Sequence, residues 1–536
     1  QVCLWREQET NSRELCQQEH FRIGFRTIQF DPDRGFLLNG RKIRLNGTCD
    51  HHDLGALGAA FHKEAMHRKF KLMRSMGVNA LRTSHNMPAV EVMELADEMG
   101  FLVLSEAFDM WEMAKNPYDY ARFFKDWMEK DVRSWIRRDR NHPSVIMWSI
   151  GNEIPDTHAD AHGQEITGNL IAAVRKWDYR NVAPVTIGSN YMPWENAQKC
   201  ADIVKLAGYN YAEKYYEEHH KKYPDWIIYG SETSSVVQSR GIYHFPLDRA
   251  TLIEADEQCS ALGNSTTSWA AKNTEYCIIM DRDTPYSCGQ FIWTAIDYIG
   301  EPTPWNGINS GSKSNGNPYP NSSYFGIVET TGFPKDTYYL YRSQWKQDDT
   351  TLHLVTAWDS DNMINKNGKT PVWVYSNAAK VELYRNGKKV GTATRKVNTT
   401  AAGHKYYTYT TQSDDSSVCT TQSGTNSTSL YSVFNVAYEK GTISAKAYDE
   451  SGKEITDFEG TASVSTPDAP AKLVVSKDKE SITADGSSLS YISVDVTDAN
   501  GNLDTTATNN IRFTLTGDGE IVGVDNGDQA TVNKYQ

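Results

Sequence analysis

Between about residue 42 and residue 345, short apolar runs alternate with stretches in which apolar residues recur every three or four positions. The first pattern is that of strands buried on both faces, and the second is that of helices with one apolar face. Their regular alternation predicts β/α units that build a parallel sheet. The strand candidates are Ile43 to Gly47, Asn79 to Thr83, Phe101 to Ser105, Val145 to Ile150, Pro184 to Gly188, Ile203 to Gly208, Trp226 to Gly230 and Gln290 to Ala295. Eight such units close one (β/α)8 TIM barrel. Between them, Lys63 to Met76 predicts a helix burying Met66, Phe70, Met73 and Met76. Tyr120 to Arg138 predicts another, with Phe123, Trp127, Val132 and Trp135 against the sheet.

Past Trp345 the helical period stops, and Thr, Ser, Asn and Gly mix with alternating apolar residues. Val372 to Tyr375, Val381 to Arg385 with the Asn386-Gly387 turn, Val390 to Thr394, and Ile443 to Tyr448 before Ser451-Gly452 read as hairpins of an immunoglobulin-like β-sandwich. The polar stretch from Thr399 to Thr428 reads as a long exposed hairpin or loop. Pro467-Asp468-Ala469-Pro470 reads as a linker. Lys472 to Val475, Ile482, Tyr491 to Val496 and Ile511 to Thr516 then start a second set of strands. At the other end, Phe21 to Ile28 predicts a strand that completes a sandwich lying upstream. The expected organisation is therefore residues 1–30 as the end of an immunoglobulin-like sandwich, 31–346 as the catalytic barrel, 347–466 as an immunoglobulin-like sandwich, and 467–536 as part of a second one. The whole is expected to be an internal portion of a longer protein.

The formal charge of −13 over 536 residues argues against nucleic-acid or anionic-membrane partners, which require clustered Lys and Arg. The densest basic run, Arg133 to Arg140, carries interspersed acids and reads as a solvated helix face. No apolar stretch approaches the roughly 18 residues needed to span a bilayer. The eight cysteines show neither C-x-x-C nor His-rich spacing, so no zinc or redox motif is supported and free buried thiols are expected; Cys3 with Cys16 and Cys259 with Cys277 stay open as isolated pairs. The N-terminal residues carry no signal-peptide pattern, and a cytoplasmic and a secreted or cell-surface compartment both stay open.

Two strings carry the chemistry. Trp148-Ser149-Ile150-Gly151-Asn152-Glu153 and Ile228-Tyr229-Gly230-Ser231-Glu232 each place a glutamate directly after a strand-forming run. An ionisable side chain there emerges at the barrel mouth. Hydrolysis of a glycosidic bond needs two carboxyl groups flanking one acetal, so the pair proposes that reaction class. The rival from another class is a carbohydrate-binding protein with an inert barrel, which would be free to lose both glutamates.

The ordered series Gly24-Phe25-Arg26, Leu38-Asn39-Gly40, His51-His52-Asp53, Arg82-Thr83-Ser84-His85-Asn86, Ser105-Glu106-Ala107-Phe108-Asp109, Gly151-Asn152-Glu153 and Gly230-Ser231-Glu232-Thr233 resembles glycoside hydrolase family 2. Phe291-Ile292-Trp293-Thr294, the stretch Asp297 to Trp305, Tyr324-Phe325-Gly326-Ile327-Val328 and Phe333-Pro334-Lys335-Asp336 look most like its bacterial β-galactosidases. The family's β-glucuronidases grip the sugar carboxylate with an Asn-x-Lys pair, whose aligned positions here are Ser323 and Phe325. Glucuronidase, or galacturonidase, is the runner-up, with Lys313 and Lys335 as substitute cations.

The resemblance implies a retaining exo-hydrolase of terminal β-D-galactose, with Glu232 as nucleophile and Glu153 as acid/base, their carboxyls about 5 to 5.5 Å apart. It places Asn152 at the 2-hydroxyl, Tyr211 against the nucleophile, His51 and His85 on sugar hydroxyls, and Trp293 under the sugar's C–H face. Arg82 neutralises Glu232 or forms a structural ion pair, Glu106 and Asp109 hydrogen-bond sugar or order their neighbours, and Trp305 or Trp111 forms the leaving-group subsite or packs in the core. The family's acid-x-His ligand pair is not visible in Phe108 to Glu112, so neither metal nor cofactor is expected. The implied partner is a β-galactoside, a homo-oligomer is admitted, and the family's sugar-binding jelly roll is expected upstream.

Overall fold

The computed structural model describes the chain except residues 8–11, 21–22, 245–246, 248–250, 254–256, 263–270, 304, 306–321, 360–368, 415, 417, 421–428, 532–533 and 536. Eight parallel strands close a barrel in sequential order: β1 (Leu45–Asp50), β2 (Ala80–Thr83), β3 (Leu102–Glu106), β4 (Val145–Asn152), β5 (Val185–Ser189), β6 (Leu206–Asn210), β7 (Ile227–Ser234) and β8 (Ser287–Trp293), which pairs back onto β1. All eight residues of β4 are buried, as a strand covered by side chains inside and helices outside requires. Phe291 of β8 lies over Gly47 of β1, where a Cβ would come within 2.3 Å of its ring, so position 47 has room for glycine alone.

A helix follows each strand: α1 (Lys63–Met76), α2 (Val90–Met99), α3 (Ala121–Asp139), α4 (His162–Trp177), α5 (Glu195–Val204), α6 (Tyr216–Lys222), α7 (Thr274–Asp283) and α8 (Asp336–Trp345). In α1 the expected Met66, Phe70, Met73 and Met76 are buried. Gly77 ends the helix in the left-handed region at φ 97°, with its N–H on Arg74 and Met73 carbonyls. The expected burial in α3 is half corrected. Val132 and Trp135 are buried with Phe124 and Ile136, but Phe123 and Trp127 are 44% and 48% exposed. The core-facing row runs 124, 132, 135/136, 139, and residues 127 and 123 sit roughly 115° and 155° around the axis from its centre. There they take cations over their rings instead, Arg122 on Phe123 and Lys130 on Trp127. Trp135 reaches the barrel, its indole N–H donating to Ser105 Oγ at 2.8 Å. Truncating it to alanine would cost about 3–5 kcal/mol. The run Ile203-Val204, expected to open the sixth strand, is instead the last turn of α5, and β6 starts only after Lys205 at φ 62°.

Beyond α8, a four-stranded sheet (Leu352–Val355, Thr370–Ser376, Ser432–Val436, Val418–Thr420) faces a six-stranded one built on Lys380–Arg385, Lys388–Thr399, Lys405–Ser413 and Thr442–Tyr448. Val372, Val374 and Phe434 from the first sheet meet Val381, Leu383 and Ile443 from the second in one apolar core. Asn386 and Gly387, at φ 49° and 78°, make the hairpin turn that the sequence calls for. Lys472–Lys477 pairs with Ile492–Thr497, whereas Ile482 and Ile511–Thr516 form no strand.

Near the N-terminus, Val2–Glu7 pairs with Arg13–Glu19. The strand expected over Phe21 to Ile28 does not form at 23–27, and residues 21–22 lie outside the described residues. Ile23 and Phe25 are exposed, because alternation without a partner strand makes no ladder. Among the described residues no helix is long and apolar enough to cross a membrane. Cys3, Cys16, Cys49, Cys200, Cys259, Cys277 and Cys288 are free thiols.

Candidate active site

The carboxyl ends of the barrel strands converge on Arg82, which lies near the end of β2 and is wholly buried. Its guanidinium spends its donors on four other strands, with Nη1 also 3.6 Å from Cys49 Sγ on β1. It binds both oxygens of Glu106 on β3 at 2.9–3.0 Å, Asn152 Oδ1 on β4 at 2.8 Å, and on β7 both the Ser231 carbonyl at 2.9 Å and Glu232 Oε1 at 2.7 Å. Burial works against its charge, but Glu106 and Glu232 outweigh it and hold the group protonated. Glu106 is likewise completely buried. Burial would raise its pKa, yet Arg82, His85 Nδ1 at 2.8 Å and Ser149 Oγ at 2.7 Å bring it down to about 2. With these partners it takes the second of its two expected roles, ordering Arg82 and His85.

Since ionised Glu106 only accepts, His85 Nδ1 carries the proton toward it, and Nε2 faces Asn152 Nδ2 at 3.2 Å and Glu232 at 3.7 Å. Burial opposes protonation of His85, but Glu106, Asp109 and Glu232 raise its pKa overall. The Asn152 amide is fully engaged: Oδ1 accepts from Arg82 and Asn210, while Nδ2 is directed at Asp109 Oδ1, 3.0 Å away, and at His85. Asp109 in turn holds Lys115 Nζ at 2.6 Å.

Glu153 follows β4 in the left-handed region at φ 47°, its N–H on the Gly188 carbonyl at 2.9 Å. Asn210 Nδ2 donates to its carboxylate at 3.0 Å. Burial first, and then the charge of Glu232, push its pKa up to about 7. Tyr211 hangs its backbone N–H on the Glu232 carbonyl at 2.9 Å. Burial and the two glutamates raise its phenol well above the usual range. One carboxyl is thus tied to a permanent cation, and its neighbour is poised to carry a proton near neutrality.

The walls are aromatic. Trp293 stacks on His85 at 5.1 Å and meets His51 edge-on at 5.2 Å, while Tyr298 stacks on His51 at 4.0 Å and donates its hydroxyl to Glu301. Burial, then His85, press the His51 pKa well below its usual value, and among the described residues its buried Nε2 has no hydrogen-bond partner. Trp305 packs among Tyr324, Phe325 and Trp293. Trp111 takes the packing role of its two expected ones: it lies in the core, with its indole N–H on the Ile150 carbonyl at 2.8 Å. Among the described residues no group of three His, Cys, Asp or Glu side chains is placed to hold a metal ion.

Residues 32–243, which include Arg82, Glu106, Glu153 and Glu232, match the family description "Glycosyl hydrolases family 2, TIM barrel domain". The chain belongs to glycoside hydrolase family 2. Two further stretches of this family 2 chain match descriptions of their own. Residues 473–536 match the glycoside hydrolase family 2 C-terminal domain 5, and 367–456 match a domain of unknown function, DUF4982. The β-galactosidase BoGH2A of Bacteroides ovatus is 35% identical over 96% of the chain, which covers 59% of that protein. The β-glucuronidase of Sus scrofa is 26% identical over 62% of the chain, covering 48% of that protein. A solved β-glycosidase from Bacteroides vulgatus superposes with a TM-score of 0.75 at 28% identity, over 98% of the chain and 62% of its own length. The chain therefore spans about half to three-fifths of the length of these relatives.

Sequence reasoning missed Asn210, Tyr298 and Lys115 in this family 2 site. Asn210 had a readable signal, since it is the last residue of β6, where side chains reach the mouth. Tyr298 and Lys115 lie in loops after β8 and β3, and no period or motif in the sequence aims a loop side chain. Lys335, one expected cation for a uronate, is buried on Asp297 at 2.5 Å, and Lys313 lies outside the described residues.

Proposed function

We propose that this chain carries the site of a retaining exo-β-galactosidase, with Glu232 as nucleophile and Glu153 as acid/base. The observation that supports it best is the asymmetry of the two carboxyls. Arg82 Nη1 donates to Glu232 Oε1 at 2.7 Å, while burial and the Glu232 charge keep a proton on Glu153 up to about pH 7. In the first step Glu153 protonates the departing oxygen as Glu232 Oε attacks the anomeric carbon. Once Glu232 is an ester its charge is gone, the proton affinity of Glu153 falls, and the same group takes a proton from the incoming water. The orphaned Nε2 of His51, in a neutral ring stacked on Tyr298, is a ready partner for a sugar hydroxyl. Trp293 supplies an apolar wall.

The named relatives divide between β-galactosidases and β-glucuronidases. The galactoside reading rests on the cations. Among the described residues at the mouth, Arg82 is spent on Glu106 and Glu232, His85 on Glu106 and Lys115 on Asp109, so each of these cations is already paired before a substrate carboxylate arrives. The test is hydrolysis of chromogenic β-galactoside, β-glucuronide and β-mannoside by the protein and by Glu232→Gln. Cleavage of the galactoside by the wild type alone is expected, with kcat/KM falling above about pH 7 as Glu153 ionises. Cleavage of the glucuronide alone would reverse the substrate.

A further inference from the structure

The loop that carries Tyr298 and Glu301 is anchored at Asp297, a buried carboxylate fastened from several directions. Lys335 Nζ lies 2.5 Å away, the Gly326 N–H 2.7 Å and Ser323 Oγ 3.2 Å. A further bond comes from far along the chain: Gln529 Nε2 donates to Asp297 Oδ2 at 3.0 Å. Gln529 is 2% exposed, and the same amide nitrogen lies 3.4 Å from the backbone carbonyl of Gln238. Gln238 belongs to the segment after β7, the strand of Glu232, and Asp297 to the segment after β8, the strand of Trp293. One side chain from the C-terminal module thus touches both loops that leave these strands.

The seam around it is tight. Asp525 Oδ2 accepts from Thr330 Oγ1 at 2.5 Å, and Asp528 accepts from Gln258 Nε2 at 2.9 Å. Gly527 sits at φ 71°, where a Cβ would fall 2.6 Å from the Glu329 carboxyl. Farther from the mouth, Arg68 lies over the Tyr491 ring at 4.0 Å and Lys479 pairs with Glu64, so the module is held at two separate places.

We infer that the C-terminal module is a working part of the active site, and that Gln529 is a positioning residue that holds the Tyr298–Glu301 loop against His51. A buried carboxylate that loses one donor is left under-satisfied, and the segment it anchors loosens first. The kinetic half of the inference rests on the galactosidase reading; the structural half does not. The test uses the whole 536-residue chain. Gln529→Met keeps the volume and removes the donor, and Lys479→Ala cuts the distal contact only. Hydrogen exchange of the 295–301 amides is read beside KM and kcat on a chromogenic β-galactoside. In Q529M, exchange at 295–301 is expected to rise and KM to rise about 5–10-fold with kcat within about twofold, as for the loss of one ordinary hydrogen bond. K479A is expected to match the wild type in both. Unchanged exchange in Q529M overturns the proposal, as does raised exchange with unchanged KM, or equal losses in K479A. If the wild type cleaves no β-glycoside, the galactosidase reading falls, and the exchange measurement still decides the contact.

Discussion

Two glutamates in this barrel share one electrostatic state and differ in everything around it. Glu153 stands at the mouth and Glu213 in the turn after β6, and burial pushes both up to about 7. Glu213 accepts from the Cys277 thiol at 3.5 Å, in a pocket shared with Tyr216, and both that bond and the Lys272 charge work against the burial that raises it. Glu153 looks at an Asn210 amide and at the charge of Glu232 across the site. Desolvation alone is therefore enough to poise a carboxyl near neutrality. A second carboxylate and an opening are what turn that proton into a reagent.

The largest expected difference is kinetic. Glu153→Gln should lower kcat/KM on a β-galactoside with a poor leaving group by about 10²–10⁴-fold, and Glu232→Gln by at least as much, whereas Glu213→Gln should stay within about threefold. A loss in Glu213→Gln equal to that in Glu153→Gln would break the comparison.

Smaller, and shared by both residues, is a cost in stability that grows with pH. A carboxyl whose folded pKa is raised to about 7 binds its proton more tightly folded than unfolded. Its contribution is full below the unfolded value of about 4.5 and is lost as pH climbs through about 7. In urea titrations at pH 5 and pH 8, Glu213→Gln should narrow the gap between the two by roughly 1–3 kcal/mol. A gap as wide as in the wild type would show that Glu213 is already charged when folded.

The smallest effect separates the two environments directly. In Glu232→Gln, Glu153 should titrate at lower pH than in the wild type, because the second cause of its raised pKa has been removed, while Glu213 should not move. Carbon-13 NMR of labelled glutamate carboxyls reads both at once. An unmoved Glu153 would mean that burial alone holds it.

Much of this was legible before any coordinates. The strand-end positions of Glu153 and Glu232 follow from apolar runs that can only be buried strands, and Arg82 and His85 lie at or just past the next such end. Asn210 is legible in the same way, being the strand-end residue directly before Tyr211. Phe123 and Trp127 are not legible as exposed, because this helix offers two apolar rows and only the packing partner selects one. Gln529 left no trace, since a polar residue in a loop has no period.

Period, charge and strand-end chemistry along the chain thus determined a barrel, a sandwich behind it, and a pair of carboxyls at one mouth, because these depend on side chains close in sequence. The tertiary structure alone decided which carboxyl keeps its proton, that Glu106 serves Arg82 and His85 instead of sugar, and that a residue near position 530 braces the loop beside the site. Those outcomes depend on dielectric and on distances through space, which residues far apart in the chain acquire only when folding brings them together.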